Sequence, residues 1–109
     1  MSATRPWVDA FADTMEAKLA ENRHKGNREG WSLDSHAALL ARLREEVGEL
    51  ERALANLERA TPGTPTHDEA KRWVRREAAD VGNFSMMISD VAGGLRPRRP
   101  PSARSGTGQ

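Results

Sequence analysis

The sequence predicts an all-α fold, an antiparallel helical bundle. Three observations lead there. Apolar residues recur at steps of three and four in three segments, the breaks between those segments are rich in Gly, Pro and polar residues, and no alternating run of β-branched residues offers a strand. At 109 residues the chain is one domain with a modest core. The bundle is therefore expected to be completed by a broken third helix or by a second subunit.

The first helix is expected from Pro6 to Asn22. Proline suits a helix start because its missing N–H is not needed there. Trp7, Phe11, Met15 and Leu19 form one stripe at four-residue spacing. The segment HKGNREGW, with two glycines among polar residues, then reads as a loop. Asp34 or Ser35 caps a second helix that runs to about Arg59. Its seam is Leu40, Leu43, Val47, Leu50, Leu54 and Leu57. The break ATPGTPT follows. Thr66 with Glu69 three residues on is a capping-box pattern that opens a third helix. That helix runs to about Ala92, where Gly93 and Gly94 stop it. Its seam is Val74, Val81, Phe84, Ile88 and Val91, with Met86 and Met87 as soft packing in the core or between subunits.

Composition narrows the function. The chain is 37% hydrophobic and 30% charged, which suits a soluble helical protein. It has no cysteine, which excludes a disulfide framework and a thiolate metal site and fits a reducing cytoplasm. The three histidines, His24, His36 and His67, are scattered and give no zinc pattern. The start, MSATRPWVDAF, has no apolar signal region, and no run approaches the roughly 18 apolar residues of a membrane span. A cytoplasmic protein with no membrane partner is the expectation. The formal net charge of +1 hides an asymmetry, because LRPRRPPSARSGTGQ carries four Arg and no acid. Residues 1–94 are the folded domain, and 95–109 form a disordered basic tail that is either a plain flexible end or a contact for nucleic acid or a nucleotide phosphate.

The acids are not spread evenly. Within REEVGELE, Glu46 falls on the edge of the leucine seam and Glu49 about 60° further round, while Glu45 and Glu51 point more to solvent. On the third helix, Glu77 takes the seam position between Val74 and Val81, and Asp80 stands on an adjoining face. An unpaired carboxylate in an apolar seam costs several kcal/mol or takes up a proton unless it has a cation partner. Antiparallel packing can bring Glu46 with Glu49 and Glu77 with Asp80 to one point. Four oxygen donors and no soft ligand select a hard cation, Mg²⁺ or Mn²⁺. The competing arrangement pairs the acids with Arg42, Arg44, Arg75 or Arg76 on helix surfaces. Gly48 and Gly82 interrupt the two helices beside these acids, and close helix approach is the reason expected for them.

The pattern Glu45-Glu46-x-x-Glu49, followed after 27 residues by Glu77-x-x-Asp80, resembles the MazG-like, all-α nucleoside triphosphate pyrophosphohydrolases. DVGNFSMMI looks like that family's next block, and KLAEN with HKGNREGW looks like its small phage-encoded members. The resemblance covers roughly residues 11–94. It implies a bundle of the all-α NTP pyrophosphatase type whose core is completed as a dimer or tetramer. The reaction it implies splits a (deoxy)nucleoside triphosphate into the monophosphate and pyrophosphate in the cytoplasm, the host's if phage-encoded, for control of the nucleotide pool.

Carried onto this chain, the resemblance makes Glu46, Glu49, Glu77 and Asp80 the ligands of Mg²⁺, with Mn²⁺ as a substitute. It makes Asn83 a nucleotide contact and Glu45 a group that orients water. A carboxylate beside that water could take its proton, either Glu49 or Glu45. Lys25 and Arg28 suit a polyphosphate, and Lys18 and Asn22 end the first helix near the same place. Trp31 stacks on a base or packs in the core or between subunits. Trp73, a turn before Glu77, shields the site from water or packs between subunits. No stable nucleic-acid complex is expected. The reading from another class is a non-catalytic helical module that binds a nucleotide or a partner helix.

Overall fold

A computed structural model describes residues 4–22 and 27–96. They form four helices, α1 (Pro6–Glu21), α2 (Arg28–Trp31), α3 (His36–Arg59) and α4 (Pro65–Val91). There is no strand among the described residues, so the all-α expectation holds. None of these helices is long and apolar enough to cross a membrane. His24, Lys25 and most of the basic tail, residues 97–109, lie outside the described residues.

The helix ends follow from local chemistry. Pro6 opens α1 at its first turn. Ser35, not Asp34, caps α3, its hydroxyl accepting the Ala38 N–H at 3.1 Å. The third long helix begins earlier than the Thr66–Glu69 pattern suggests. Thr64 is the cap, its hydroxyl accepting the His67 N–H at 3.1 Å, and Pro65 sits at the first position, where its fixed φ is already helical. At the other end, Gly93 takes φ +83°. Its N–H donates to Asp90 O at 2.9 Å and the Gly94 N–H donates to Ser89 O at 2.8 Å, the Schellman closure the two glycines promised. The glycine-rich segment is not all loop. Residues 28–31 close one helical turn, with the Gly30 and Trp31 N–H groups donating back to Asn27 O.

A short connection folds α4 back along α3, and α1 packs on α4. α4 is therefore the central element, with α3 on one side and α1 on the other, and it runs unbroken to Val91. Of the two ways to complete the bundle, a broken third helix is not what is seen, since α4 is continuous.

The phase of α3 differs from the all-leucine seam. Leu39 and Ala53 are its buried residues, whereas Leu40, Val47 and Leu54 are 39%, 40% and 44% exposed. The line turned to α4 is Leu39, Leu43, Glu46, Leu50, Ala53 and Leu57, alternating steps of four and three. At 100° per residue, Glu46 stands within about 20° of the centre of that line. Hydrophobicity alone keeps Leu43, Leu50 and Leu57 but selects Leu40, Val47 and Leu54 in place of Leu39, Glu46 and Ala53, because that choice contains no acid. α4 turns small residues inward: Ala70 and Ala79 are buried, so neighbouring backbones come close. The glycines divide. Gly82 does permit close approach, but to α1: a Cβ there would stand 2.9 Å from the ring of Phe11. Gly48 has nothing within 4 Å of its would-be Cβ, so close helix approach does not explain it. Of the α1 stripe, Met15 and Leu19 are half-buried, but Trp7 is 85% exposed.

Candidate metal centre

Three carboxylates converge where α3 meets α4. One oxygen each from Glu46, Glu77 and Asp80 lies within 4.8 Å of the others, and all three residues are half-buried. Two ligand oxygens on opposite sides of a Mg²⁺ stand about 4.1 Å apart, since each bond is about 2.0–2.1 Å. Adjacent ligands of the same octahedral ion stand closer, about 2.9 Å apart, so the three side chains would draw inward around it. The oxygen-only donor set suits a hard divalent cation. The electrostatics agree. Burial pushes the Glu46 carboxyl above the usual carboxylate range, with Asp80 and Glu77 adding to it. Burial likewise raises Glu77, helped by Asp80 and Glu49 against the pull of Trp73 and Lys18. Asp80 is raised by burial although Lys18 and Arg76 oppose it. Crowded, partly desolvated carboxylates of this kind are relieved by a cation or by a proton.

The helix geometry explains the convergence. Glu46 comes from the inner line of α3, and Glu77 faces it from α4. Asp80, about 60° round α4 from Glu77, lies between the face that meets α3 and the face that meets α1. It is thus reached from α1 as well: the Lys18 ammonium stands 3.6 Å from Asp80 Oδ2 and donates to Glu21 Oε1 at 3.3 Å. Lys18 is the buried residue of α1.

A cavity of about 460 Å³ opens beside the carboxylates, and Glu46 and Asp80 line it together with Lys18, Arg42, Asn83 and Trp31. The Arg42 guanidinium lies 4.9 Å from the centre of the Phe84 ring, which holds it at this wall. Asn83 is buried. Its amide donates to Met15 O at 3.1 Å, which fixes the side chain's orientation because a carbonyl can only accept. The other end, Oδ1, is buried and has no partner among the described residues. A buried acceptor left open costs free energy until something donates to it.

The other expected site residues fall in different places. Glu49 stands outside the set of three; its carboxylate accepts from Arg52 at 2.6 Å, yet its charge is close enough to raise Glu46 and Glu77. Glu45 faces solvent, 3.8 Å from Arg42. Arg28 is engaged across the fold rather than open to a phosphate. Its Nε donates to Asp90 Oδ2 at 2.7 Å and its Nη2 to Oδ1 at 3.0 Å. Trp31 donates its indole N–H to the same carboxylate at 3.0 Å while lining the cavity. Trp73 borders a second, more open hollow with Asn56 and Arg72.

Asp90, Arg42 and the depth of Lys18 escape the sequence reading. Lys18 does carry a signal, since Phe11, Met15, Lys18 and Asn22 keep steps of four, three and four along one face. Asp90 carries none, because its partners lie 62 and 59 residues away. Compared with family models, with curated proteins and with solved structures, the chain finds no match.

Proposed function

We propose that this protein hydrolyses (deoxy)nucleoside triphosphates to the monophosphate and pyrophosphate with Mg²⁺, as a MazG-like all-α pyrophosphohydrolase. The observation that carries the reading is the meeting of Glu46, Glu77 and Asp80 from two helices beside a cavity that also holds two cations. Oxygen-only donors suit Mg²⁺, with Mn²⁺ as a substitute, and such an ion keeps waters and shares its shell with substrate phosphates.

In this reading Glu46, Glu77 and Asp80 hold the ion, and Glu49 joins them by releasing Arg52. The bound ion supplies neutralisation of phosphate charge and a water of lowered pKa. Lys18 and Arg42 orient the polyphosphate. Water attacks the α-phosphorus, its oxygen forming the new P–O bond. The bond to the bridging oxygen breaks, and pyrophosphate leaves with that electron pair. Of the two carboxylates considered as base, Glu49 is favoured over Glu45 to take the water's proton, because its charge is felt at Glu46 and Glu77 whereas Glu45 faces solvent. Asn83 Oδ1 accepts a hydrogen bond from the nucleoside.

The test is pyrophosphate release from a panel of canonical and modified triphosphates with Mg²⁺, alongside Glu46→Gln. Turnover of at least one nucleotide, lost in the variant, is expected. No turnover on the whole panel, together with a melting temperature that Mg²⁺ and nucleotides do not move, would favour the second reading, a helical interaction module. The half-exposed line of Leu40, Val47 and Leu54 is the observation on that side. In the enzymatic reading the same line joins subunits of a homo-oligomer.

A further inference from the structure

The residue that α1 buries is a lysine. A buried ammonium is tolerated only when its charge is answered. Lys18 is answered by two carboxylates, Glu21 at 3.3 Å and Asp80 at 3.6 Å. The two are not alike. Glu21 is also held by Arg76, whose Nη2 and Nη1 donate to its two oxygens at 2.8 and 3.1 Å, so it does not depend on Lys18 for neutralisation. Asp80 is one of the three converging carboxylates. Among the described residues, neither Glu46 nor Glu77 has an ion-pair partner. The ammonium is thus the protein's own cation in the cluster, and it neutralises the carboxylate that faces α1.

A divalent ion bound by all three carboxylates needs the Asp80 oxygen that Lys18 now faces. Two cations cannot share that oxygen at close range without repelling. Lysine suits an exchange, since it is a point charge with three rotatable donors on a flexible four-carbon stem. Its side chain already lines the cavity of about 460 Å³, and so does the buried Asn83, whose Oδ1 has no partner among the described residues and is an acceptor left for a ligand. We infer that Lys18 is an exchangeable counter-ion: it occupies Asp80 in the metal-free protein, and when a divalent ion takes Asp80 it turns into the cavity and binds the anionic, pyrophosphate-like part of the ligand. This rests on the reading of Glu46, Glu77 and Asp80 as a cation site. It adds a coupling between metal and phosphate that runs through one side chain of α1.

The coupling has opposite signs for the two ligands. Lys18→Met keeps the apolar stem and removes the charge, so the metal loses a competitor while the phosphate loses a partner. Calorimetric titration with Mn²⁺ alone is expected to show about tenfold tighter binding in Lys18→Met than in wild type. Titration of the Mn²⁺-loaded protein with inorganic pyrophosphate is expected to show about tenfold weaker binding in the variant. A lysine with a purely structural role would weaken both, and Mn²⁺ affinity that is unchanged or lower in a folded variant overturns the inference, as does unchanged pyrophosphate affinity. A wild-type chain that binds no Mn²⁺ overturns the cation-site reading itself and this inference with it. Should Lys18→Met not fold, wild type supplies the readout. The Lys18 ε-methylene resonance should move on addition of Mg²⁺ as its contact with Asp80 opens, and a resonance that stays in place rejects the exchange.

Discussion

Arg28 and Asp90 are joined across 62 residues by a two-point contact, Nε to Oδ2 at 2.7 Å and Nη2 to Oδ1 at 3.0 Å. Trp31 adds its indole N–H, and these bonds tie α2 to the last turn of α4. The guanidinium holds the Asp90 carboxyl below its ordinary range, with Trp31 assisting. Arg28→Gln and Asp90→Asn are therefore expected to lower the melting temperature together, and the double variant to lose less than the sum of the two. Trp31 emission should shift to longer wavelength in both single variants. Additive losses would show that the pair is not coupled in solution.

Glu77 is held where an apolar residue would pack, and burial and its acidic neighbours raise its pKa. A group whose folded pKa is raised supports the fold below its ordinary pKa of 4.5, and that support is lost as pH rises through the raised value. Glu77→Gln should thus stabilise the metal-free protein at neutral pH, seen as a higher melting temperature in chelator. The same variant should lack the rise in melting temperature expected of wild type with Mg²⁺, and the proposed pyrophosphate release should fall by about 10²-fold or more. Thermal melts in chelator and in Mg²⁺, with one rate assay, check all three. A variant less stable than wild type in chelator would contradict the strain assigned to this position.

Helix existence was legible because each long helix carries its own periodicity and its own stops; Gly93 and Gly94 close α4 as expected. The phase of α3 was not. The line of Leu40, Val47 and Leu54 is the more hydrophobic, and the true inner line holds Glu46 and the small Ala53, which count against it on any apolar scale. The polar residue at this inner position is the one that meets Glu77 and Asp80, so the feature that misleads the phase is the one that marks the candidate site. Glu77 was found for the same reason, as an acid interrupting a regular seam. The clamp of Asp90 was not readable, because nothing local in Ser89-Asp90-Val91 reports a partner on α2. The start of α4 illustrates a smaller ambiguity, since Thr64-Pro65 and Thr66 with Glu69 both carry start signals and proline at the first position decides between them.

Glu21 links α1 to α4 through Arg76, with oxygens accepting at 2.8 and 3.1 Å. Hydrogen bonding from Arg76, then Lys18, lowers its pKa from 4.5 to about 2. A lowered folded pKa gives stability that is present above 4.5 and lost as pH falls toward about 2. The side-chain carboxyl carbon of Glu21, followed by NMR, should titrate near that lower value in wild type and move back toward 4.5 in Arg76→Gln. A Glu21 midpoint that is ordinary in wild type would show that the bond does not persist in solution.

Gly82 separates two effects of known sign. Alanine gains about 1 kcal/mol over glycine in a helix interior. Against this, its Cβ would stand 2.9 Å from the Phe11 ring, whose outer edge can turn away because the residue is partly exposed. Gly82→Ala should therefore be close to neutral. Gly82→Leu should displace α1, lower the melting temperature and weaken the proposed Mg²⁺-dependent turnover, since Lys18 and Met15 arrive on that helix. Phe11→Ala should restore part of the loss in Gly82→Leu. Unchanged stability and activity in Gly82→Leu would remove close packing as the reason for a glycine here.

The half-exposed line of Leu40, Val47 and Leu54 suits a second copy of the chain in one orientation above others. An isologous contact brings each patch against itself. With a two-fold axis at Val47 and the two copies of α3 antiparallel, Leu40 meets Leu54 of the partner subunit, and Arg44 falls beside Glu51 of the partner subunit. A parallel arrangement would carry Arg44 and Glu51 of the partner subunit to opposite edges of the contact and lose that pairing. Wild type is accordingly expected to sediment as a dimer or larger at micromolar concentration. Val47→Glu places like charges at the axis and should yield a folded monomer, because Val47 lies off the line that packs against α4. Exchanging charges, as Arg44→Glu with Glu51→Arg in the same chain, should keep the dimer where either change alone weakens it. A monomeric wild type, or a Val47→Glu variant that sediments unchanged, would remove this face from the assembly and leave it for a different helix.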